Sequence, residues 1–179
     1  MAVLFCSVAL TAQSQEFKPF RVDGGLGYGI PVGDNYDAGL TFYLEPKYAV
    51  LDKIAVGLRW EGSLFAGATD DETSASASLS SGYLVTGDYY FNNNKFRPFA
   101  GIGLGLHRIA GASASINVGA EEVELSTEGK TNFGGLIRAG ADFAHMRLTL
   151  SYNYAGKIGD ETHHYLGVTF GFFIGGGRK

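Results

Sequence analysis

From Phe20 to Gly175 the chain alternates apolar residues with polar or very small ones at every second position, which is the period of a β-strand and not of a helix. Eight segments carry the pattern: Phe20 to Ile30, Ala38 to Tyr48, Ile54 to Leu64, Leu79 to Phe91, Phe96 to Arg108, Thr131 to Phe143, Met146 to Tyr154 and Tyr165 to Gly175. In the third, Ile54, Val56, Leu58, Trp60 and Leu64 share one face, and Ala55, Gly57, Arg59, Glu61 and Ser63 share the other. Leu84 interrupts the alternation of the fourth.

The connections alternate in length. Ala49 to Lys53, Asn92 to Lys95 and Ala144 to His145 are short, whereas Pro31 to Asp37, Ala66 to Ser76, Ala110 to Lys130 and Gly156 to Thr162 are longer and polar. Short turns at one end and long loops at the other predict an all-β fold: an eight-stranded antiparallel up-and-down transmembrane β-barrel whose strands suit a tilted crossing of a bilayer. Composition points the same way. With 27 glycines in 179 residues a helical bundle is disfavoured, since a glycine inside a helix costs about 1 kcal/mol relative to alanine. No internal apolar run approaches the roughly 20 residues of a membrane-spanning helix, and aromatic and branched apolar residues recur too evenly for disorder.

A soluble barrel of lipocalin type shows the same alternation with the faces exchanged. The polar face separates the two. It is dominated by glycine, which weakens a solvated strand and gives nothing back, but which suits the narrow lumen of an eight-stranded barrel. Its charges also balance, Arg21, Arg59, Arg97, Arg138 and Arg147 against Asp23, Glu45, Glu61, Asp88 and Asp142, with lysine nearly absent from the set. Buried charges persist when paired, and the planar arginine fork is the cation best suited to pairing. These residues, with His107, are expected to form an Arg-carboxylate network that plugs the lumen. The apolar face adds Trp60, Tyr28, Tyr48, Tyr83, Tyr89 and Tyr152 as candidate interfacial aromatics.

Residues 1–14 read as a secretory signal peptide, an apolar stretch running to small residues at Ala12 and Ser14; residues 15–19 read as a linker, 20–175 as the barrel and 176–179 as a short tail. The single cysteine, Cys6, falls in the signal, so no disulfide framework is expected.

The run Arg97-Pro-Phe-Ala-Gly-Ile-Gly-Leu-Gly-Leu106, with Phe133-Gly-Gly-Leu-Ile-Arg-Ala-Gly-Ala-Asp-Phe143 and Tyr165-Leu-Gly-Val-Thr-Phe-Gly-Phe-Phe173, resembles the small outer-membrane β-barrel family that includes the OmpA transmembrane domain, OmpX and the opacity proteins. The resemblance spans the chain after the signal. It implies the bacterial outer membrane as location, with outer-membrane lipid, lipopolysaccharide and the barrel-assembly machinery as partners. Family members usually end on an aromatic residue that this machinery reads; here Ile174 to Lys179 follow Phe173. The residues after the eighth strand do not resemble the OmpA peptidoglycan-binding domain, so a cell-wall tether is not expected.

Catalytic and cofactor signals are weak. The Gly-x-Gly-x-Gly runs at Gly25 and Gly101 lie within strands and open no helix, so they read as lumen glycines and not phosphate loops, and no cofactor is expected. An acidic balance, 18 Asp and Glu against 14 Lys and Arg, disfavours nucleic acid. His163 and His164 beside Asp160 and Glu161 suggest a metal site, but neighbouring strand residues point to opposite faces, and none is assigned. Ser80, Ser151 and His107 supply the parts of a hydrolase with nothing to select them, so a non-enzymatic protein is expected. The loops carry the clearer signal: Asp70, Asp71, Glu72, Glu121, Glu122, Glu124, Asp160 and Glu161 make an acidic outer rim. Val118 to Ser126 alternates enough to extend a hairpin above the membrane. The reading is a monomeric envelope protein with a structural or surface-interaction role, adhesin-like or opacity-like, meeting an extracellular ligand at its loops; the alternative is a small porin-like channel or conduit for small or apolar solutes.

Overall fold

The computed structural model describes residues 18–32, 38–67, 74–115, 129–158 and 161–176, with side chains described except at 66–67, 74–78, 109–115, 129–130, 157–158 and 161–162. Eight strands follow one another: β1 (Phe20–Pro31), β2 (Gly39–Leu51), β3 (Ile54–Gly67), β4 (Ser74–Tyr90), β5 (Phe96–Ser115), β6 (Gly129–Phe143), β7 (Met146–Ile158) and β8 (Glu161–Gly175). Each pairs antiparallel with the next, and β8 returns to β1 from Arg21↔Gly175 to Pro31↔Tyr165, closing the barrel with no free edge. The eight-stranded all-β barrel expected from the alternation is the fold observed. The signal segment 1–14 and the tail 177–179 lie outside the described residues.

The faces follow the pleat. Leu26, Ile102, Leu148 and Ile174 stand on the outside, Leu26 71% exposed and Ile174 82%, while Asp23, Glu45 and Arg147 are enclosed. A soluble barrel would reverse this, because an uninterrupted apolar coat is stable only against another apolar phase. At the turn end the coat finishes in exposed aromatics, Phe20, Tyr48, Tyr89, Phe91, Phe96 and Phe143. Trp60 lies further along its strand, edge-on to Phe42 at 5.4 Å.

Most of the strands run further toward the loop end than the alternation indicates, and β4 and β5 do so by the most. β4 starts at Ser74 and β5 continues to Ser115, and the added stretches pair Ser74↔Ser115, Ala75↔Ala114, Ser76↔Ser113 and Ala77↔Ala112. Alanine and serine differ too little in polarity to register as an alternating strand, so the sequence placed these residues in loops. Val118 to Ser126 lies outside the described residues.

Inside, glycine is required where backbones approach. A Cβ at Gly27 would run into the Val168 carbonyl and stand 2.6 Å from Thr169 Cα across the β1–β8 seam; at Gly140 it would run into the Leu148 carbonyl and stand 2.9 Å from the Phe99 ring. Gly87 is the opposite case, with nothing within 4 Å of its would-be Cβ. Gly140→Ala should therefore cost about 1–3 kcal/mol through overpacking, read as a lower urea midpoint of the refolded barrel, while Gly87→Ala should leave that midpoint unchanged or slightly raised.

Candidate functional site

Alternation on neighbouring strands delivers ten charged side chains to the turn-side half of the lumen: Arg21 and Asp23 from β1, Glu45 and Lys47 from β2, Arg59 and Glu61 from β3, Asp88 from β4, Arg138 and Asp142 from β6, and Arg147 from β7. All are buried. Their longest connections run between strands on opposite sides of the barrel. Arg138 donates through Nη1 and Nη2 to both oxygens of Glu45 at 2.9 and 2.7 Å, and through Nε to Asp88 Oδ1 at 2.8 Å. Arg147 Nη2 donates to Asp88 Oδ2 at 2.7 Å, its Nη1 lies 3.2 Å from Asp23 and 3.4 Å from Asp142, and its guanidinium sits 3.6 Å over the Phe99 ring. Arg21 bridges Asp142 at 2.7 Å and Asp23 at 2.9 Å and donates to the Tyr90 hydroxyl at 2.5 Å.

Asp88 is the hub. Its two oxygens accept from Arg138, from Arg147 and from Lys47 Nζ at 2.6 Å, three cations reaching one carboxylate. Glu45 is the second, accepting from Nη1 and Nη2 of Arg138, from the Thr86 hydroxyl at 2.5 Å and from Arg59 Nη1 at 3.4 Å. Arg59 also donates to Glu61 Oε2 at 2.6 Å and stacks 4.1 Å over Tyr43.

Glycines give these groups their room. A Cβ at Gly57 would crowd Lys47, Thr86 and Glu45 at 2.9 to 3.1 Å, and one at Gly101 would collide with the Asp88 carboxylate and lie 3.2 Å from Arg138 Nε.

Two features differ from the sequence reading. Lysine does take part: Lys47 lies among Asp23, Glu45 and Asp88 at 3.0, 3.5 and 2.6 Å, a cation that a balance of arginines against carboxylates leaves out. Arg97 is placed elsewhere: half-buried at the turn end, it stacks 4.1 Å over Tyr90 and donates to the Asp52 carbonyl at 2.6 Å. Lys47 thus holds the fifth cationic place in the centre, and the charges remain five against five. The ring partners Tyr43, Tyr90 and Phe99, all inward-facing by alternation, were visible as positions but not as stacking partners.

The loop-side half of the lumen is of a different kind. Tyr165 donates to Glu61 Oε1 at 3.1 Å and Ser63 reaches the Tyr165 hydroxyl at 3.4 Å. His107 is fully enclosed between Gly82 and Gly134, its Nδ1 4.0 Å from Glu61 Oε1, and neither ring nitrogen has a hydrogen-bond partner among the described residues. Thr41 Oγ1, Asn153 Oδ1 and Asn132 Nδ2 are in the same state. The serines that sequence alone offered to His107 do not come to it: Ser151 bonds to the Gly167 carbonyl and to Asn153. His164 meets the Tyr152 hydroxyl at 2.8 Å, and no group of three His, Cys, Asp or Glu fit to hold a metal occurs among the described residues. Of the acidic loop residues, Asp70, Asp71, Glu72, Glu121, Glu122, Glu124 and Asp160 lie outside the described residues, and Glu161 opens β8 opposite Ile158.

An apolar exterior, a closed eight-stranded wall and an ionic interior define the class: the fold is that of the small eight-stranded outer-membrane β-barrels. Among solved structures the chain is similar to Neisserial surface protein A (TM-score 0.62, 15% identity, covering 87% of this chain and 96% of that one). It is similar also to Ail, the attachment invasion locus protein of Yersinia pestis, solved with the heparin analogue sucrose octasulfate (TM-score 0.54, 12% identity, 89% and 100%). A third is the outer membrane protein OprG from Pseudomonas aeruginosa (TM-score 0.50, 14% identity, 90% and 98%). No protein-family model matches the chain, and no curated protein matches it.

The hub position makes a stability prediction. Asp88→Asn leaves three buried cations short of one carboxylate and should cost about 3–5 kcal/mol, whereas Arg97→Gln, outside the central connections and half-exposed, should cost under about 1 kcal/mol. Urea titration of both refolded variants in one detergent gives the comparison.

Proposed function

We propose that this chain is a monomeric bacterial outer-membrane barrel whose lumen is plugged by its ion network and whose work is done by its surface, in a structural or adhesin-like role and without catalysis. The observation that carries the reading is the pairing of Arg138 on β6 with Glu45 on β2 and Asp88 on β4, cross-connections that occupy the lumen of a barrel just wide enough for side chains. A pore needs that space for water. With the interior committed to holding itself together, the loops are the surface left for recognition.

The loops carry Asp70, Asp71, Glu72, Glu121, Glu122, Glu124, Asp160 and Glu161, so their field is negative. Ail was solved with a polyanion, sucrose octasulfate; an acidic rim repels such a ligand. A cationic surface, or lipopolysaccharide phosphate bridged by divalent cations, fits this chain instead. Barrel-assembly machinery is the partner expected during insertion.

A second reading, a small channel, is favoured by the loop-side lumen. There the unpartnered His107, Thr41 and Asn153 atoms call for water, because a buried polar group left unpaired costs on the order of 1–3 kcal/mol. Conduction then requires the ionic layer beneath to open.

Planar-bilayer conductance of the refolded protein decides between them, after a heat-dependent shift in gel mobility has shown a folded barrel. The plugged reading expects no current steps from the wild type and discrete steps from Arg138→Ala, which removes the groups bridging Glu45 and Asp88. Steps from the wild type would overturn it. Neutralising the loop acids should leave the mobility shift intact and abolish calcium-dependent association with lipopolysaccharide vesicles.

A further inference from the structure

The turn end of the barrel carries a charge pattern that the ionic lumen does not use. Each of its four corners presents one exposed basic residue: Lys18 on the approach to β1, Lys53 in the β2–β3 turn, Lys95 before β5 and His145 between β6 and β7. Half-buried Arg97 adds a guanidinium just inside the ring. Among the described residues the only carboxylate at this end outside the lumen is Asp52.

The ring lies immediately beyond the aromatic edge of the apolar coat, where Phe20, Tyr48, Tyr89, Phe91, Phe96 and Phe143 stand exposed. Aromatic residues at such an edge mark the level of lipid headgroups, and a lysine one step further out brings its ammonium, on a flexible stem, to the level of the phosphates. The charges are spread around the circumference, one to a corner. That spacing suits several separate headgroups and not one compact polyanion. The opposite end has the opposite sign, since the long loops are rich in Asp and Glu.

From this we infer that the turn-end rim is a binding ring for anionic phospholipid headgroups, with Lys18, Lys53 and Lys95 each holding the phosphate of its own lipid. The inference rests on the membrane reading proposed above. His145 contributes less, because its Nδ1 already lies 3.2 Å from the Phe173 carbonyl.

Trp60 makes this measurable. It is the single tryptophan, it stands on the lipid-facing side, and it belongs to β3, the strand that Lys53 precedes. The full chain is refolded into phosphatidylcholine vesicles in which either brominated phosphatidylcholine or brominated phosphatidylglycerol quenches Trp60 fluorescence, and the ratio of quenching gives a relative binding constant. One lysine at an anionic surface is worth about a fivefold preference for phosphatidylglycerol. That preference should be present in the wild type, fall with added salt, and drop to near unity in Lys53→Gln and in the variant with Lys18, Lys53 and Lys95 all changed to Gln. These exposed substitutions leave the heat-dependent gel shift as the check on folding. Equal quenching by the two lipids in the wild type would overturn the ring, as would a preference that survives the triple substitution. If neither brominated lipid quenches Trp60, the membrane reading itself fails, a result distinct from both.

Discussion

One carboxylate, that of Asp88, receives Lys47, Arg138 and Arg147, and those three cations are at the same time the partners of Glu45, Asp23 and Asp142. Each of these four acids is held by more than one base, and each of the three bases reaches more than one acid. In a water-poor lumen an ion stripped of its hydration is costly, and it is tolerated because its neighbours replace the lost shell. Strands far apart in sequence are tied through their side chains, so the network adds transverse bracing to a wall whose backbone bonds run only between adjacent strands. The glycines make this possible, since the volume of five guanidinium or ammonium groups and five carboxylates has to come from somewhere.

How much of this the amino-acid order revealed depends on the kind of information. Which residues face inward was legible, because a strand's two-residue period is local and the wall is apolar on one side. Asp23, Glu45, Asp88 and Arg138 all fell on the inner face for that reason alone. Leu84, read as an interruption, is an inward-facing leucine, 2% exposed, and Leu136 is another. Who partners whom was not legible. The pairing of Arg138 with Glu45 depends on strand register and on the stagger of the closed barrel, and neither is written in any single segment. Lys47 is legible by position and not by residue type, since it shares the inward face of β2 with Glu45. The loop acids stay a matter of sequence, with Glu161 alone placed, at the start of β8.

The interior is divided by chemistry as well as by height. On the turn side the charges are ion-paired with one another, while on the loop side His107, Asn132, Asn153 and Thr41 keep polar atoms without a hydrogen-bond partner among the described residues. A barrel with a fully ionic or fully apolar filling would not show such a boundary. Glu61 stands at it, given to Arg59 on one side and to Tyr165 on the other, with the His107 ring beyond.

The paired alanines and serines at the outer end of β4 and β5 have a consequence for how such a protein can change over generations. That ladder is held by backbone bonds between short side chains in matched register, Ser74 to Ser115 and Ala77 to Ala112. Deleting or duplicating two residues on each arm would preserve both the pairing and the inward or outward sense of every remaining side chain. The ladder is therefore a part whose reach can be lengthened or cut back in steps without disturbing the barrel below, leaving the sequences of the two connections it leads into, 68–73 before β4 and 116–128 after β5, free to diverge.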